Sequence, residues 1–290
     1  SVWCVFDFGC AKYAAQGARV LSELDKAGYH VFEATEETRA WAGAAHKVAC
    51  DVTKDPAQRA LWLRHQNTWF VGVDALPNDP DGSISNVPLK GPWKDHIVSP
   101  THWHKAQISV VYEGYPKQDK NQSDANHRFR VNRAAAHVDG LLLEDGKRYL
   151  REPHAFILGI SLNESDAAPL KVWPGSHQRF YPLFPMPYDQ TRIPFYDHLP
   201  SHKGILHPTA YLDEVKAVEI DTDPVDVWGG QGDVVLWHHR LGHMAGHHKG
   251  HQASIRQALL FDYNHIELDA MRCEPTPADL WQHWSPELRA

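Results

Sequence analysis

Three side chains far apart in the sequence have types and surroundings that could do chemistry together. His137-Val138-Asp139 sets an imidazole and a carboxylate two residues apart. In a strand, residues i and i+2 project from the same face, so both can reach one ion. His243 follows a turn and an apolar run, Gly232-Asp233-Val234-Val235-Leu236-Trp237, and a second apolar run over residues 255–263 carries Arg256 near its start. Strand, loop and strand would put His243 and Arg256 on neighbouring strands. Two imidazoles and one carboxylate form the facial set that holds non-haem Fe(II) and leaves three coordination positions open. An arginine beside them can grip a carboxylate with two parallel hydrogen bonds, which suits a keto-acid cosubstrate.

Other readings use some of the same residues. Two His and a carboxylate also hold Zn(II) with an open position and activate water, as in a zinc-dependent hydrolase. Arg256 would then have no task, and His247-His248-Lys249-Gly250-His251 lacks the glutamate of an HExxH helix. A cupin-type binding protein could use His102-Trp103-His104, but the glutamate expected close behind is missing, Glu113 being the first. A catalytically inactive, metabolite-binding jelly roll with a relic site is the remaining alternative.

The elements that must position these groups can be read from periodicity and punctuation. Residues 11–28 carry Ala14, Gly17, Leu21 and Leu24 at helical spacing and stop at Gly28, which suits a C-terminal cap. Residues 30–34 read as a short strand, and Thr35-Glu36-Glu37-Thr38 opens a second helix with an N-cap residue and an acidic first turn. A third helix is expected over 55–65 from Pro56, then a strand over 68–73. Residues 76–100 are rich in Pro, Gly, Asn, Asp and Ser, which predicts a long surface loop of a length that is uncommon unless functional. Downstream, short runs bounded by turns occupy 106–112, 134–138, 154–162, 170–173, 215–220, 234–237 and 256–263. That pattern predicts a mainly β chain with flanking α. We expect one domain: an N-terminal helical layer over about 1–100, a jelly-roll core over about 101–265 and a C-terminal helix within about 275–285.

Composition narrows the function classes. In 290 residues, 42% are hydrophobic and 22% charged, which excludes disorder and fibre. Lys and Arg number 29 against 36 Asp and Glu, a net charge of −7 that argues against nucleic acid. Apolar runs fall well short of the roughly 20 residues of a membrane span. The start lacks a basic region followed by an apolar one, so no secretory signal is expected. Cys4, Cys10, Cys50 and Cys273 form no CxxC pair and read as reduced thiols of a cytoplasmic protein. The 21 His raise the weight of a metal or acid/base site. The expected partner is a small-molecule substrate, with the choice between monomer and homo-oligomer open.

The order HxD, then Leu170-Lys171-Val172-Trp173-Pro174-Gly175-Ser176-His177, then the Gly-Asp strand with His243, then Arg256, resembles the phytanoyl-CoA dioxygenase branch of the Fe(II)/2-oxoglutarate oxygenases. The segment from Leu24 to Val31 is similar to the family's helix, Gly-Tyr, strand opening. The resemblance implies a double-stranded β-helix, a cupin-like jelly roll. It implies His137, Asp139 and His243 as iron ligands and Arg256 as the partner of the distal carboxylate of 2-oxoglutarate. The implied reaction consumes O2 and 2-oxoglutarate, releases succinate and CO2, and hydroxylates or otherwise oxidises an unactivated C–H bond. Three departures stand out. Ala245 occupies the position where many members carry a serine that helps hold the cosubstrate, and Ala136-His137-Val138-Asp139 replaces the frequent Trp-His-Gln-Asp. Asp139 stands where halogenating relatives have Gly or Ala, which favours hydroxylation over halogenation.

Gln107, Ser109 and Tyr112, on the strand before the triad, are candidate cosubstrate contacts because alternate positions share a face. Trp173 and Trp237 are candidate walls of the substrate pocket. Arg133, with Arg128 and Arg130, could meet an anionic substrate, although a solvated strand edge also accounts for them. His177 is expected to serve a turn. The reactive pocket is expected to be shaped by loops 76–100 and 180–208.

Overall fold

Gly28 ends the leading helical turn in the way its type requires: its φ is +82° and its N–H donates to the Leu24 carbonyl at 3.0 Å. The computed structural model describes residues 23–24, 26–97, 103–133, 137–139, 141–144, 147–150, 156–165, 167–180, 208–238, 241–246 and 254–261. For residues 129, 132–133, 141–144, 147–150, 208–212 and 254–261 only the backbone is described. Strand β1 (Tyr29–Phe32) follows Gly28, then helix α1 (Glu36–Lys54). The Thr35 hydroxyl accepts from the Thr38 amide while the Thr38 hydroxyl receives the Thr35 N–H, and Glu36 and Glu37 sit at the positive end of the helix dipole. The Asp55 carboxylate accepts the Gln58 N–H at 2.8 Å and caps α2 (Pro56–Trp62), where Pro56 leaves no N–H unsatisfied.

The remaining elements are β2 (Leu63–Arg64), β3 (Trp69–Leu76), β4 (Ala106–Val111), α3 (Asp124–Arg133), β5 (Leu141–Glu144), β6 (Lys147–Leu150), β7 (Phe156–Ser161), β8 (Leu170–Val172), α4 (Ser176–Phe180), α5 (Pro208–Asp221), β9 (Val225–Val227), β10 (Val234–His238), β11 (His243–Ala245) and β12 (Ser254–Phe261). A seven-stranded antiparallel sheet has the order β1-β10-β7-β12-β4-β3-β2, and a three-stranded antiparallel sheet the order β11-β8-β9. Strands β5 and β6 form a separate hairpin.

Period-two alternation decides what each face of the large sheet meets. Ile108, Val110, Leu158, Ile160, Val234 and Leu236 turn to the helical layer and pack with Trp41, Ala42, Ala45 and Ala49 of α1. Ile157, Val235 and Trp237 turn the other way and meet Leu170, Val172, Val227 and Leu241, which joins the small sheet to the large one. Both faces are covered, so β7 and β10 are buried at every position. This is the expected mainly β jelly roll with its N-terminal helical layer.

Several expectations change. Residues 215–220, read as a strand, lie in helix α5: Val215 and Val218, three apart, share the buried side, and Arg179 of α4 holds Glu214 at 2.6 Å. Of the strand expected over 134–138, residues 134–136 lie outside the described residues and His137 makes a bridge to His243; the chain before it is helix α3. The Ser123 hydroxyl accepts the Asn126 N–H at 3.3 Å at its start, and Val131 is its one β-branched residue. Arg128, Arg130 and Arg133 are therefore helical residues rather than a strand edge. Loop 76–97 is not a surface excursion. Ile84, Leu89, Trp93 and Ile97 pack into the core on the helical side, and Trp41 Nε1 donates to the Gly82 carbonyl at 2.8 Å. The β5–β6 hairpin was not expected, although Asp145-Gly146 between its strands is a hairpin-turn pair in the sequence. Most of the first helix, loop 181–207 and the C-terminal helix at 275–285 lie outside the described residues.

Candidate metal centre

His137, Asp139 and His243 converge. Each offers one donor atom, and these atoms lie within 4.8 Å of one another. Among the described residues they are the one group of three His, Cys, Asp or Glu side chains that could hold a metal ion. His243 Nε2 lies 3.2 Å from Asp139 Oδ2, and His137 Nε2 lies 3.9 Å from Asp139 Oδ1.

Backbone pairing produces this meeting. His137 and His243 form an isolated antiparallel bridge, with each N–H donating to the other's carbonyl at 3.1 and 3.0 Å. His137 thus extends the small sheet beyond β11, the two imidazoles stand with ring centroids 4.6 Å apart, and Asp139 follows two residues on. Exposure is graded across the group: the side chains of His243, Asp139 and His137 are 6%, 18% and 48% exposed. The donor set is closed on the His243 side and open on the His137 side. Trp237, fully buried, closes one flank with its ring centroid 5.4 Å from that of His243.

Electrostatics and hydrogen bonding orient the His243 ring. Its Nδ1 lies 2.9 Å from the Leu241 carbonyl oxygen, which can only accept, so Nδ1 carries a hydrogen and Nε2 faces Asp139. Burial pushes the imidazolium pKa down, but the Asp139 carboxylate and the Leu241 carbonyl outweigh it and hold the pKa above the ordinary histidine value. The carboxylate that attracts a proton here would attract a metal cation in its place. Two imidazole nitrogens and a carboxylate oxygen, with the buried imidazole's other nitrogen already oriented, fit a divalent first-row transition metal.

The other predicted residues divide. Gln107 and Ser109 share the face of β4 turned away from the helical layer, and Ser109 accepts the Trp69 indole N–H at 3.2 Å. Tyr112 does not join them. It lies against the helical layer, where Arg59 is its charged neighbour, because it is an odd number of positions from Ser109. Trp173 is buried, and its N–H donates to the Gly242 carbonyl at 2.9 Å. Arg133 ends α3. Arg256 lies on β12, between β4 and β7 in the large sheet, whereas β11 belongs to the small one. The two are therefore not on neighbouring strands, and the β12–β4 register shifts between Ile255 and Gln257, at Arg256 itself.

Ala245 shares a strand face with His243 and packs in a cluster with Val111, Tyr115, Ala168 and Trp69. Trp69 on β3 and Tyr115 in the turn after β4 were not among the expected site residues, since buried aromatic residues are ordinary core material and carry no distinguishing signal. His104 of the cupin-like alternative stands 4.0 Å from Asp74, apart from the group of three, and residue 102 lies outside the described residues. No helix among the described residues is long and apolar enough to cross a membrane.

The family model described as phytanoyl-CoA dioxygenase (PhyH) matches residues 10–258. Among solved structures, the chain is similar to the non-haem α-ketoglutarate-dependent carbocyclase SnoK from nogalamycin biosynthesis, with 15% identity, 84% of this chain and 81% of that chain covered, and a TM-score of 0.47. It is also similar to EctD from S. alaskensis with bound Fe, with 16% identity, coverage of 89% and 85%, and a TM-score of 0.42. AviO1 from Streptomyces viridochromogenes Tue57 gives 16% identity, coverage of 84% and 92%, and a TM-score of 0.38. No curated protein matches the chain in sequence.

Proposed function

This chain belongs to the phytanoyl-CoA dioxygenase family, the iron- and 2-oxoglutarate-dependent oxidoreductases, and from that premise we propose that His137, Asp139 and His243 hold its ferrous ion while Arg256 receives the distal carboxylate of 2-oxoglutarate. The proposed reaction hydroxylates an unactivated C–H bond of a small molecule: R–H, O2 and 2-oxoglutarate give R–OH, succinate and CO2. The observation that carries the reading is the convergence of three donors from distant segments, with the Nε2 of a buried, pre-oriented imidazole 3.2 Å from a carboxylate oxygen.

When bound, the ion would supply oxygen activation coupled to decarboxylation of 2-oxoglutarate. The chain's own groups set the conditions for it. Asp139 supplies negative charge where burial leaves it weakly screened. Leu241 holds the His243 ring, and Trp237 keeps water from its flank. The Arg256 guanidinium offers the planar fork that matches a carboxylate. Gln107 and Ser109 are proposed as further cosubstrate contacts, with Ser109 keeping a hydroxyl hydrogen to donate. Trp237, Trp173 and Arg133 are proposed to border the substrate.

The test is a succinate-release screen over metabolite pools with the wild type and His137→Ala. Release that requires 2-oxoglutarate and Fe(II) and disappears in the variant is expected. Release that persists in His137→Ala, or hydrolysis that requires Zn(II) and no 2-oxoglutarate, would overturn the reading.

A further inference from the structure

The Trp173–Ser176 turn and the His243 ring meet at a single residue, Gly242. The Gly242 N–H donates to the Ser176 hydroxyl oxygen at 2.8 Å, and the Gly242 carbonyl accepts the Trp173 N–H at 2.9 Å. Ser176 is fully buried, and its own N–H returns to the Trp173 carbonyl at 3.2 Å. The turn is anchored in its turn: the Gly175 N–H, at φ +78°, donates to the Ala27 carbonyl at 2.9 Å.

The Gly242 N–H belongs to the same peptide group as the Leu241 carbonyl, the group that accepts His243 Nδ1–H at 2.9 Å. In a planar trans peptide these two ends point in opposite directions, so holding one fixes the other. The path runs from the Ser176 hydroxyl through one rigid plane to the imidazole. A bond at the N–H end also polarises the carbonyl and strengthens its hold on Nδ1–H.

We infer that Ser176 is a positioning residue: through the Leu241–Gly242 peptide it fixes the ring orientation and tautomer of His243, so that Nε2 is presented to the metal. This rests on the assignment of His243 as a metal ligand. Ser176 is not one of the three donors and acts through the peptide. Without its hydroxyl the Gly242 N–H is buried with no partner from Ser176, the peptide can rotate, and Nδ1–H loses a fixed acceptor.

The experiment titrates the metal-free full chain with Co(II) and follows the d–d absorption, for the wild type, Ser176→Ala, Asp139→Ala and Thr35→Ala. Thr35→Ala removes the α1 cap at a comparable stability cost, far from the peptide in question. Ser176→Ala should bind Co(II) about tenfold or more weakly with a shifted spectrum, as removal of a ligand's orienting partner does. Thr35→Ala should match the wild type. In Zn(II)-loaded wild type, the His243 Nδ1–H should appear as a slowly exchanging ring proton.

Ser176→Ala with wild-type affinity and spectrum overturns the inference and leaves the metal centre standing. So does loss of affinity equal to that of Thr35→Ala. A rapidly exchanging Nδ1–H in the wild type overturns it without recourse to any variant. Wild type that fails to bind Co(II), or Asp139→Ala that binds as tightly, removes the metal centre itself and the inference with it.

Discussion

Gly28→Ala and Gly43→Ala are the same chemical change, and the structure assigns them opposite signs. At Gly28 the backbone has φ +82°, and an added Cβ would lie 2.5 Å from His177 Nδ1 and 2.9 Å from Leu241 Cδ1. The left-handed conformation costs an L-residue about 1–2 kcal/mol, and forcing a methyl into a packed site costs about 1–3 kcal/mol. The smaller conformational freedom of alanine in the unfolded chain offsets about 0.4–1 kcal/mol. The net loss is about 1–5 kcal/mol. Gly43 lies inside helix α1, and an added Cβ there meets nothing within 4 Å. Alanine should therefore stabilise the chain by about 0.5–1 kcal/mol. Urea unfolding of the metal-free full chain reads both, as a lower midpoint for Gly28→Ala and a higher one for Gly43→Ala with unchanged slopes. Equal midpoints for the two variants, or a lower one for Gly43→Ala, would refute the argument from backbone angle and local space. Because Leu241 is two residues from His243, Gly28→Ala should also weaken Co(II) binding, whereas Gly43→Ala should not.

Asp233→Ala should destabilise the chain by about 2–5 kcal/mol, since its carboxylate accepts the Ala34 N–H at 2.8 Å and the Gly230 N–H at 2.7 Å; a shift in urea midpoint no larger than that of an exposed surface substitution would contradict this. His65 makes stability depend on pH. Burial first, and then Arg130, lowers its pKa against the opposing pull of Asp119, so below about pH 6.5 the unfolded chain takes up the proton before the folded one. Stability from His65 is therefore present above that pH and lost as pH falls below it. Between pH 7.5 and 5.5 the wild type should lose more unfolding free energy than His65→Asn, a residue type that tolerates the φ of +51° here. Tyr112→Phe should leave the KM for 2-oxoglutarate unchanged and cost at most about 1 kcal/mol of stability, because Tyr112 packs on the helical side; a raised KM would return Tyr112 to the cosubstrate contacts.

Local signals and tertiary outcomes agree most closely where one residue's chemistry is enough. Thr35, Asp55 and Gly28 act as caps because side-chain oxygens satisfy orphan amides and glycine accepts positive φ, and neither property needs a distant partner. The strands β4, β7 and β10 were readable from apolar runs bounded by turns. Residues 215–220 went the other way. A six-residue apolar stretch fits both periods, and only the docking of α5 on Arg179 and the buried side shared by Val215 and Val218 decide between them.

What the sequence determined by itself is the inventory of the proposed site: two imidazoles, one carboxylate, a guanidinium and a Pro-Gly-Ser-His turn, in a chain with the strand content of a jelly roll. Which of 21 histidines meet was decided only by the tertiary structure. Residue types and spacing report the i, i+2 relation of His137 and Asp139, because strand geometry is local. They carry no record of a bridge to a residue more than a hundred positions away. That bridge, the sheet to which Arg256 belongs, the turning of Tyr112 toward the helices and the single peptide joining Ser176 to His243 are all consequences of strand pairing. Pairing depends on the summed burial of two sheet faces rather than on any one side chain.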